Sequence, residues 1–257
     1  MHFMFHGQRI AINVPTWAAL EAELRQRFAS GQGFALATVN LDHLVKMAAS
    51  PGFLDAYATQ DLVVADGHPI VWMSRLARQP VDLMQGANMI LPLCQLAAQA
   101  QVPVALVGST QVALEDAAGI LQGQVAGLNI AMRLAPSGVF DPMGEEAGHI
   151  LQQLNGDGIG LCFLALGAPK QEIFAARGRQ LSPGVGFASI GAGLDFLGGH
   201  QHRAPVWMRR LALEWLWRIV SSPMRMVPRY ARCFAILPGQ FRQAWLLRKR
   251  PPSAGRQ

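Results

Sequence analysis

The strongest constraint on the fold is an alternation, along residues 1–200, of short apolar runs with longer amphipathic stretches. This alternation is typical of βα units, in which each buried strand is followed by a helix that covers a parallel sheet. The runs that we interpret as strands read GFALATVN, LVVA, VPVALVG, LNIAMRLA, GIGLCFLALG and GVGFASIG. The sequence therefore predicts an α/β body with a mostly parallel sheet, preceded by a small hairpin around His6-Gly7.

The pattern changes after Gly199, where a basic, helical segment begins. We expect one helix from Pro205 to the break at Pro223, and a second helical stretch beyond it. We therefore divide the chain into a body, residues 1–200, and a basic amphipathic appendage, residues 201–257. We expect a chain without the appendage to keep a folded body with weak activity.

The appendage carries most of the positive charge. Twelve of the 22 Lys and Arg residues lie from Arg203 onward, against one of the 16 acidic residues, Glu214. Beyond Pro223, the spacing of Arg225, Arg229 and Arg232 places three guanidinium groups on one helix face. Such a segment could meet a membrane surface, a diphosphate or nucleic acid, and the alternative is a solvated basic tail.

Composition limits the class of protein. A chain with 51% hydrophobic and 15% charged residues can bury a core. Three scattered cysteines, Cys94, Cys162 and Cys233, fit a reduced cytoplasmic protein better than a disulfide framework. The first residues do not resemble a signal peptide, and no apolar run is long enough for a transmembrane helix.

Polar residues at the ends of predicted strands are the candidates for chemistry, because open parallel sheets bind ligands there. The candidate strand ends are Thr38-Val39-Asn40, Asp66-Gly67-His68, Gly108-Ser109-Thr110 and the segment from Gly167 to Glu172. Either Asp66 or His68 could be a catalytic base, and either could be a turn or cap residue.

The segment LALGAPKQE is the most informative of these ends. A strand ends at Gly167, Pro169 suits the first helical position, and Lys170 and Gln171 follow. Free backbone N–H groups beside a lysine could hold a nucleotide diphosphate. The chain has no P-loop, and Phe196 occupies the third glycine position of a dinucleotide fingerprint. It also has no Asp-x-Asp motif, so we expect neither a metal nor a cofactor.

These motifs together resemble the WecG/TagA/CpsF family of bacterial glycosyltransferases. The resemblance rests on TVNLDHL, LVVADGHPIVW, LALGAPKQE, SIGAGLDFLGG and RAPVWMRRLALEWLWRI, in the family's order over about residues 34 to 219. It implies a Rossmann-like body with helices on both faces of the sheet and a C-terminal helical appendage that helps to close the site. It also implies an inverting, metal-independent enzyme that moves a sugar from a UDP-sugar to a lipid-linked sugar diphosphate.

The resemblance assigns roles to matching positions of this chain. Asp66 matches the proposed catalytic base, Thr38 and Asn40 match the pocket floor, and Gln171 lies near donor or acceptor. The remaining candidates for substrate binding are His68, Gly167, Lys170, Arg218, Arg225 and Arg229, of which Lys170 and the arginines would meet the donor diphosphate. The simpler interpretations are a turn for Asp66, a helix cap for Asn40 and a solvated residue for Gln171.

One segment departs from the family pattern. Many members have RVTGxDL where this chain has LMQGANM, so that the basic residue becomes Leu83, the Thr becomes Gln85 and the Asp becomes Asn88. This loss of polarity motivates a second hypothesis, a diverged, non-catalytic protein that binds a nucleotide-sugar or a lipid diphosphate.

The resemblance also implies partners and a location. We expect a UDP-sugar donor, with an uncharged hexose such as glucose favoured over N-acetylmannosamine or its uronic acid, and a polyprenyl-diphosphate-linked sugar acceptor in exopolysaccharide or cell-surface polymer assembly. The appendage is expected to contact an anionic membrane, so that the protein is cytoplasmic and peripheral at the inner face of the cell membrane. Self-association into a homo-oligomer is expected, and nucleic acid is not.

Overall fold

Eight strands are present in the computed structural model, which describes residues 1–248. The first two, β1 (His2–Phe5) and β2 (Gln8–Ala11), form the expected antiparallel hairpin. The others are β3 (Phe34–Val39), β4 (Leu62–Ala65), β5 (Val104–Gly108), β6 (Ile130–Leu134), β7 (Leu161–Ala165) and β8 (Gly186–Ser189). These six form one all-parallel sheet in the order β4-β3-β8-β7-β5-β6.

Nine helices connect the strands of the sheet and follow them, up to the start of the appendage. They are α1 (Trp17–Ser30), α2 (Leu41–Ala49), α3 (Pro51–Ala58), α4 (His68–Leu76), α5 (Gly86–Gln99), α6 (Gln111–Gln124), α7 (Glu145–Gly156), α8 (Lys170–Leu181) and α9 (Gly193–Leu197). The appendage contributes α10 (Val206–Arg210), α11 (Glu214–Ser221) and α12 (Pro223–Arg248).

Both faces of the sheet are covered by helices, which explains why its strands are apolar along their whole length. Leu36 of β3 and Leu106 of β5 pack with residues of α1, α5, α6 and α9 on one face. On the other face, Ala37 and Val39 pack with α2, α3 and α4, and Val107 packs with α7 and α8. The predicted α/β fold with a parallel sheet is confirmed.

Helix α2 ends at Ala49, and α3 begins directly at Pro51, capped by the Ser50 hydroxyl, which accepts the Phe53 N–H at 3.3 Å. One local prediction is wrong. The expected single helix from Pro205 to Pro223 is two helices, since Ala212 adopts a left-handed conformation with φ 60° between α10 and α11. Glu214 therefore pairs with Arg218 within α11, at 2.8 Å.

The appendage is packed onto the body. Helix α12 contacts α2 and α4. Its Ala244 and Leu247 join the core cluster that contains Phe3 and Ile10 of the hairpin and Val39 of β3, on the side of the sheet that we call the hairpin face. Its Met226 and Cys233 are also buried. The division between residues 1–200 and 201–257 stays a prediction, and residues 249–257 lie outside the described residues.

The three cysteines are free and buried in separate places. Burial raises the pKa of the Cys94 thiol to about 12 and that of Cys233 to about 11, and it also raises the pKa of Cys162. Their thiols are therefore protonated near neutral pH. None of the helices in residues 1–248 combines the length and apolar character that a membrane span requires.

Candidate active site

Asp66 lies at the carboxyl end of β4, where the chain leaves the sheet. Its backbone N–H donates to the carbonyl of Val39 at 2.7 Å, which continues the ladder between β3 and β4. Gly67 then turns the chain with φ 102°, a conformation that favours glycine, and α4 begins at His68. The Asp66 carboxylate accepts a hydrogen bond of 3.3 Å from Nδ2 of Asn40, at the end of the neighbouring strand.

The Asp66 carboxyl is a stronger base than an ordinary aspartate. Burial and the negative charge of Glu214 raise its pKa to about 6, against the lowering effects of the Asn40 hydrogen bond and of Arg218 and Arg203. A carboxyl with this pKa is mostly ionised at neutral pH and accepts a proton more readily than a solvated aspartate.

Asn40 has two structural roles at once. Its Oδ1 accepts the N–H of His43 at 3.2 Å and so caps α2, while its Nδ2 donates to Asp66. Thr38, on the adjoining strand, is buried, and its carbonyl accepts hydrogen bonds from His43 Nδ1 at 2.6 Å and from the Tyr57 hydroxyl at 2.7 Å. The interpretation of Asn40 as a helix cap is therefore confirmed, and its place at the floor of a pocket stays a prediction.

The GAPKQE segment forms the turn between β7 and α8. Pro169 is the residue before the helix rather than its first residue, so α8 begins at Lys170. Gly167 adopts a left-handed conformation with φ 70°. Gln171 is buried, not solvated: its Nε2 donates to Glu172 at 2.9 Å, and its Oε1 accepts the Gly191 N–H at 3.2 Å.

Glu172, the last residue of the candidate segment that begins at Gly167, is a buried carboxyl for which no role is predicted. Burial raises its pKa to about 7, and one of its two oxygens, Oε2, is buried without a hydrogen-bond partner within the described residues. Its Oε1 lies 3.9 Å from Nε2 of His43, whose pKa burial lowers to about 4. A glutamate in the first turn of a helix is usually a solvated dipole partner, so the sequence offers no signal for this burial.

Arg218 is the cation that lowers the pKa of Asp66 more than Arg203 does. It donates to Glu214 at 2.8 Å and stacks its guanidinium on the ring of Phe196, 5.6 Å from the centroid. Arg203 lies over the same ring at 5.8 Å and within 4.0 Å of Glu214. Arg203, Glu214 and Phe196 are not predicted as site residues. Only the tertiary fold brings this part of the chain within electrostatic range of Asp66, so no local sequence pattern marks them.

The other two predicted arginines of the appendage lie elsewhere. Arg229 pairs with Asp42 of α2 at 3.0 Å, and Lys46 pairs with the same carboxylate at 2.8 Å. Lys46 also donates to the carbonyl of Ala168 at 2.9 Å, which links α2 to the GAPKQE turn. Arg225 is exposed on α12. The expected row of arginines therefore does not point at a single place.

The sequence model of the glycosyl transferase WecG/TagA/CpsF family matches residues 6–250. The chain belongs to this family. Membership makes it a glycosyltransferase and implies a nucleotide-sugar donor and a lipid-linked acceptor. In this family member, three segments lie on the carboxyl edge of the parallel sheet, where such folds bind ligands. They are Asn40 after β3, Asp66 after β4 and the turn before α8.

Two further strand-end features take structural roles in this WecG/TagA/CpsF family member. His68 is the first residue of α4, and its ring lies 6.1 Å from that of Trp72. After β5, Thr110 caps α6, and the Ser109 hydroxyl donates to the carboxylate of Asp195. No group of three or more His, Cys, Asp or Glu side chains arranged to hold a metal occurs within residues 1–248.

The segment that departs from the family pattern is integrated into the structure. Leu83 packs against the core cluster of the hairpin face. Gln85 and Asn88, by contrast, hold Arg203: its Nη1 donates to Asn88 at 2.7 Å and its Nη2 to Gln85 at 3.3 Å. Two of the three replaced positions therefore have polar partners in this chain.

Proposed function

We propose that this protein is an inverting glycosyltransferase that moves a sugar from a UDP-sugar to a polyprenyl-diphosphate-linked sugar without a metal ion. The favoured donor sugar is an uncharged hexose such as glucose, in exopolysaccharide or cell-surface polymer assembly. The alternative donors are UDP-N-acetylmannosamine and its uronic acid. The observation that carries the proposal is the Asp66 carboxyl, whose pKa is raised to about 6 at the carboxyl edge of the sheet of a family member.

The proposed reaction is a single displacement. The acceptor hydroxyl oxygen forms a bond to the anomeric carbon as the bond from that carbon to the UDP oxygen breaks, so the configuration inverts. UDP leaves with the electron pair, and the hydroxyl proton passes to the carboxylate of Asp66. Asn40 orients this carboxylate through its 3.3 Å hydrogen bond and leaves the other oxygen, Oδ1, free of that contact.

Charge on the departing diphosphate needs cations or N–H donors to stabilise it. Arg218 and Lys170, at the start of α8, are the proposed partners of the diphosphate. Gln171, whose amide already bonds to Glu172 and Gly191, is proposed to lie near donor or acceptor. Arg225 and Arg229 remain candidates, although Arg229 already pairs with Asp42, so a contact with the donor would have to compete with that ion pair. Thr38, His68 and Gly167 complete the proposed pocket wall.

We also propose peripheral binding at the inner face of the cell membrane. Helices α10, α11 and α12, with Leu211 at the end of α10, expose several large apolar side chains; those in the helices are Val206, Trp207, Trp215, Leu216, Val220, Met224, Val227, Phe234, Trp245 and Leu246. Exposed arginines, Arg225 and Arg232 among them, lie on the same helices. This composition suits an anionic interface. A homo-oligomer remains a prediction, and nucleic acid is the less favoured partner.

An assay of UDP release tests the reaction. Purified protein is incubated with a panel of UDP-sugars and a polyprenyl-diphosphate-linked glucose or N-acetylglucosamine. We expect Asp66→Asn to lower kcat by about 10²–10⁴-fold, the usual contribution of a general base. Asp157→Asn, the same exchange at an exposed residue after α7, serves as the matched control. Near-wild-type turnover by Asp66→Asn would reject Asp66 as the base.

The second candidate is a non-catalytic member that holds a nucleotide-sugar or lipid diphosphate. It is favoured by Leu83, whose packing in the core leaves no cation where many relatives have one. This candidate requires saturable UDP-sugar binding with no UDP release above the buffer rate for any donor and acceptor in the panel. Release that depends on both substrates excludes it.

A further inference from the structure

Arg203 is held by two neutral amides at the start of α5. Asn88 and Gln85, at the start of α5, accept hydrogen bonds from its two terminal nitrogens at 2.7 Å and 3.3 Å. These bonds use two of the five N–H donors of the guanidinium group. Its Nε is buried and has no hydrogen-bond partner within residues 1–248. The arginine is therefore fixed in place, and its Nε–H donor remains unused.

Its positive charge is only weakly neutralised. The amides of Gln85 and Asn88 carry no charge, and its ion-pair partner within residues 1–248, Glu214, lies 4.0 Å from Arg203 but 2.8 Å from Arg218. Arg203 and Arg218 thus share this acidic partner, and the Asp66 carboxylate acts on Arg203 from beyond ion-pair distance. Both arginines also stack on the ring of Phe196, at 5.8 Å and 5.6 Å. The group formed by Arg203, Arg218 and Glu214, the arginine pair, carries one net positive charge.

The arginine pair lies within electrostatic range of Asp66, because both arginines and Glu214 contribute to the electrostatic environment of that carboxyl. In the proposed displacement, the departing diphosphate gathers negative charge across the anomeric carbon from the base, and a guanidinium fork matches phosphate oxygens in pairs. With Leu83 apolar, a cation for the diphosphate has to come from another part of the chain.

We propose that Arg203, held by Gln85 and Asn88, is a second cation for the diphosphate of the donor, next to Arg218. This inference rests on the proposed function, since it assigns a residue to the UDP leaving group. Gln85 and Asn88 then position Arg203 through uncharged amides, so that its positive charge remains available to the ligand. Gln85 and Asn88 are positioning residues, and Arg203 is the binding residue.

A purely structural role for Arg203 makes a different prediction. In that case the hydrogen bonds only fix the start of the appendage against α5. Asn88→Asp separates the two roles, because a carboxylate strengthens the bond to Arg203 while it neutralises the charge. A structural role predicts equal or higher thermal stability with unchanged ligand affinity. A diphosphate role predicts equal or higher stability with weaker binding of the diphosphate.

The experiment is calorimetric binding of UDP and UMP to the full chain, together with thermal unfolding. We expect the wild type to prefer UDP, and Asn88→Asp and Arg203→Gln each to weaken UDP binding by about tenfold with little change for UMP, as loss of one charged hydrogen bond would do. Asn155→Asp, at an exposed position of α7, changes the net charge by the same amount and controls for a general effect of charge change. Arg203→Lys, which keeps the charge but not the fork, should fall between wild type and Arg203→Gln.

Two results would overturn the inference, and they differ. If the wild type prefers UDP over UMP and both Asn88→Asp and Arg203→Gln bind UDP within about twofold of the wild type, Arg203 is structural and the proposed function stands. If the wild type shows no preference for UDP, the proposed UDP-sugar donor is rejected, and the proposed role of Arg203 is rejected with it. Should Arg203→Gln prove unfolded, Asn88→Asp decides alone.

Discussion

At the scale of single residues, the main finding is that the surroundings of Asp66 set its basicity. Burial raises the pKa of this carboxyl, Glu214 raises it further, and Asn40, Arg218 and Arg203 lower it, with about 6 as the result. All three charged partners belong to the C-terminal part of the chain. The appendage therefore adjusts the ionisation of a group that the sheet holds in position.

The pH dependence of the reaction follows from this value. A general base acts in its ionised form, so kcat/KM should be low at pH 5, rise through an apparent pKa of about 6 and level off above about pH 7. A profile measured by UDP release between pH 5 and 8 checks this. An acidic limb near pH 4, the range of an unperturbed aspartate, would contradict the raised pKa.

Glu214→Gln provides a test with a defined sign. Removing a negative charge near Asp66 lowers the pKa of that carboxyl, so the acidic limb of kcat/KM should move to lower pH by roughly half a unit, the effect of one screened charge at short range. Arg218→Gln should move the limb the other way. Glu115→Gln, on the exposed face of α6, is the matched control. A limb that stays at the same pH in both site variants would contradict the assigned charge partners.

At the scale of secondary-structure elements, the sheet was predictable and parts of the appendage were not. Strands buried on both faces of a parallel sheet read as continuous apolar runs, so β3, β4, β5, β7 and β8 stand out in the sequence. The start of α3 was missed because a proline both ends one helix and suits the first position of the next. The left-handed Ala212 that separates α10 from α11 has no signal in the residue type.

The candidate site divides in the same way. Asn40 and Asp66 were predictable together, because they end two neighbouring parallel strands. The hydrogen bonds of Arg203 to Gln85 and Asn88 were not predictable, because more than a hundred residues separate Arg203 from these two residues. From the sequence alone, the exchanges at positions 85 and 88 were interpreted as lost polarity. Hydrogen bonds between distant segments are a property of the tertiary fold and leave no local pattern.

Asn40 allows the cap of α2 to be separated from the site. Asn40→Ser retains an oxygen that can accept the His43 N–H but lacks the Nδ2 donor to Asp66. We expect Asn40→Ser to keep stability near that of the wild type and to lower kcat/KM, and Asn40→Ala to lose in addition about 1 kcal/mol of unfolding free energy. Chemical denaturation and UDP release measure the two effects. Equal activity of Asn40→Ser and wild type would mean that Asn40 acts only as a cap.

At the scale of the whole molecule, α12 is bound to the body by packing and by charge. Ala244 and Leu247 enter the core of the hairpin face, and Arg229 pairs with Asp42 beside the cap of α2. Through Lys46, the same carboxylate is connected to the turn before α8. The appendage therefore stabilises the segments that carry the candidate site as well as adding residues to it.

Two truncated chains test this arrangement. A chain of residues 1–203 should remain folded with weak activity, but its Tm should fall by about 5–10 °C because lost packing of a few kcal/mol has that effect in a domain of this size. A chain of residues 1–222 keeps α10, α11 and the arginine pair, so it should show a similar Tm and higher activity. Complete unfolding would contradict a separable body, and an unchanged Tm would contradict stabilisation by α12.

Membrane binding can be tested on α12 itself. Each exposed arginine near an anionic surface contributes about 1 kcal/mol, so Arg225→Gln with Arg232→Gln should weaken binding to phosphatidylglycerol vesicles by about 30-fold. The double exchange Arg9→Gln and Arg25→Gln, in the hairpin and α1, is the matched control. Vesicle sedimentation at low and high salt measures the difference. Equal loss in both double variants would indicate a non-specific effect of net charge.

The buried cysteines have a practical consequence for such experiments. Cys94, Cys162 and Cys233 are all shielded, and their raised pKa values keep them in the unreactive thiol form. A maleimide dye would then attach selectively to a cysteine introduced at an exposed position, such as Val227→Cys on α12, with the native sequence otherwise intact. A fluorophore placed there would report by its emission whether this helix enters a lipid environment, in a protein that remains fully active for the sugar-transfer assay.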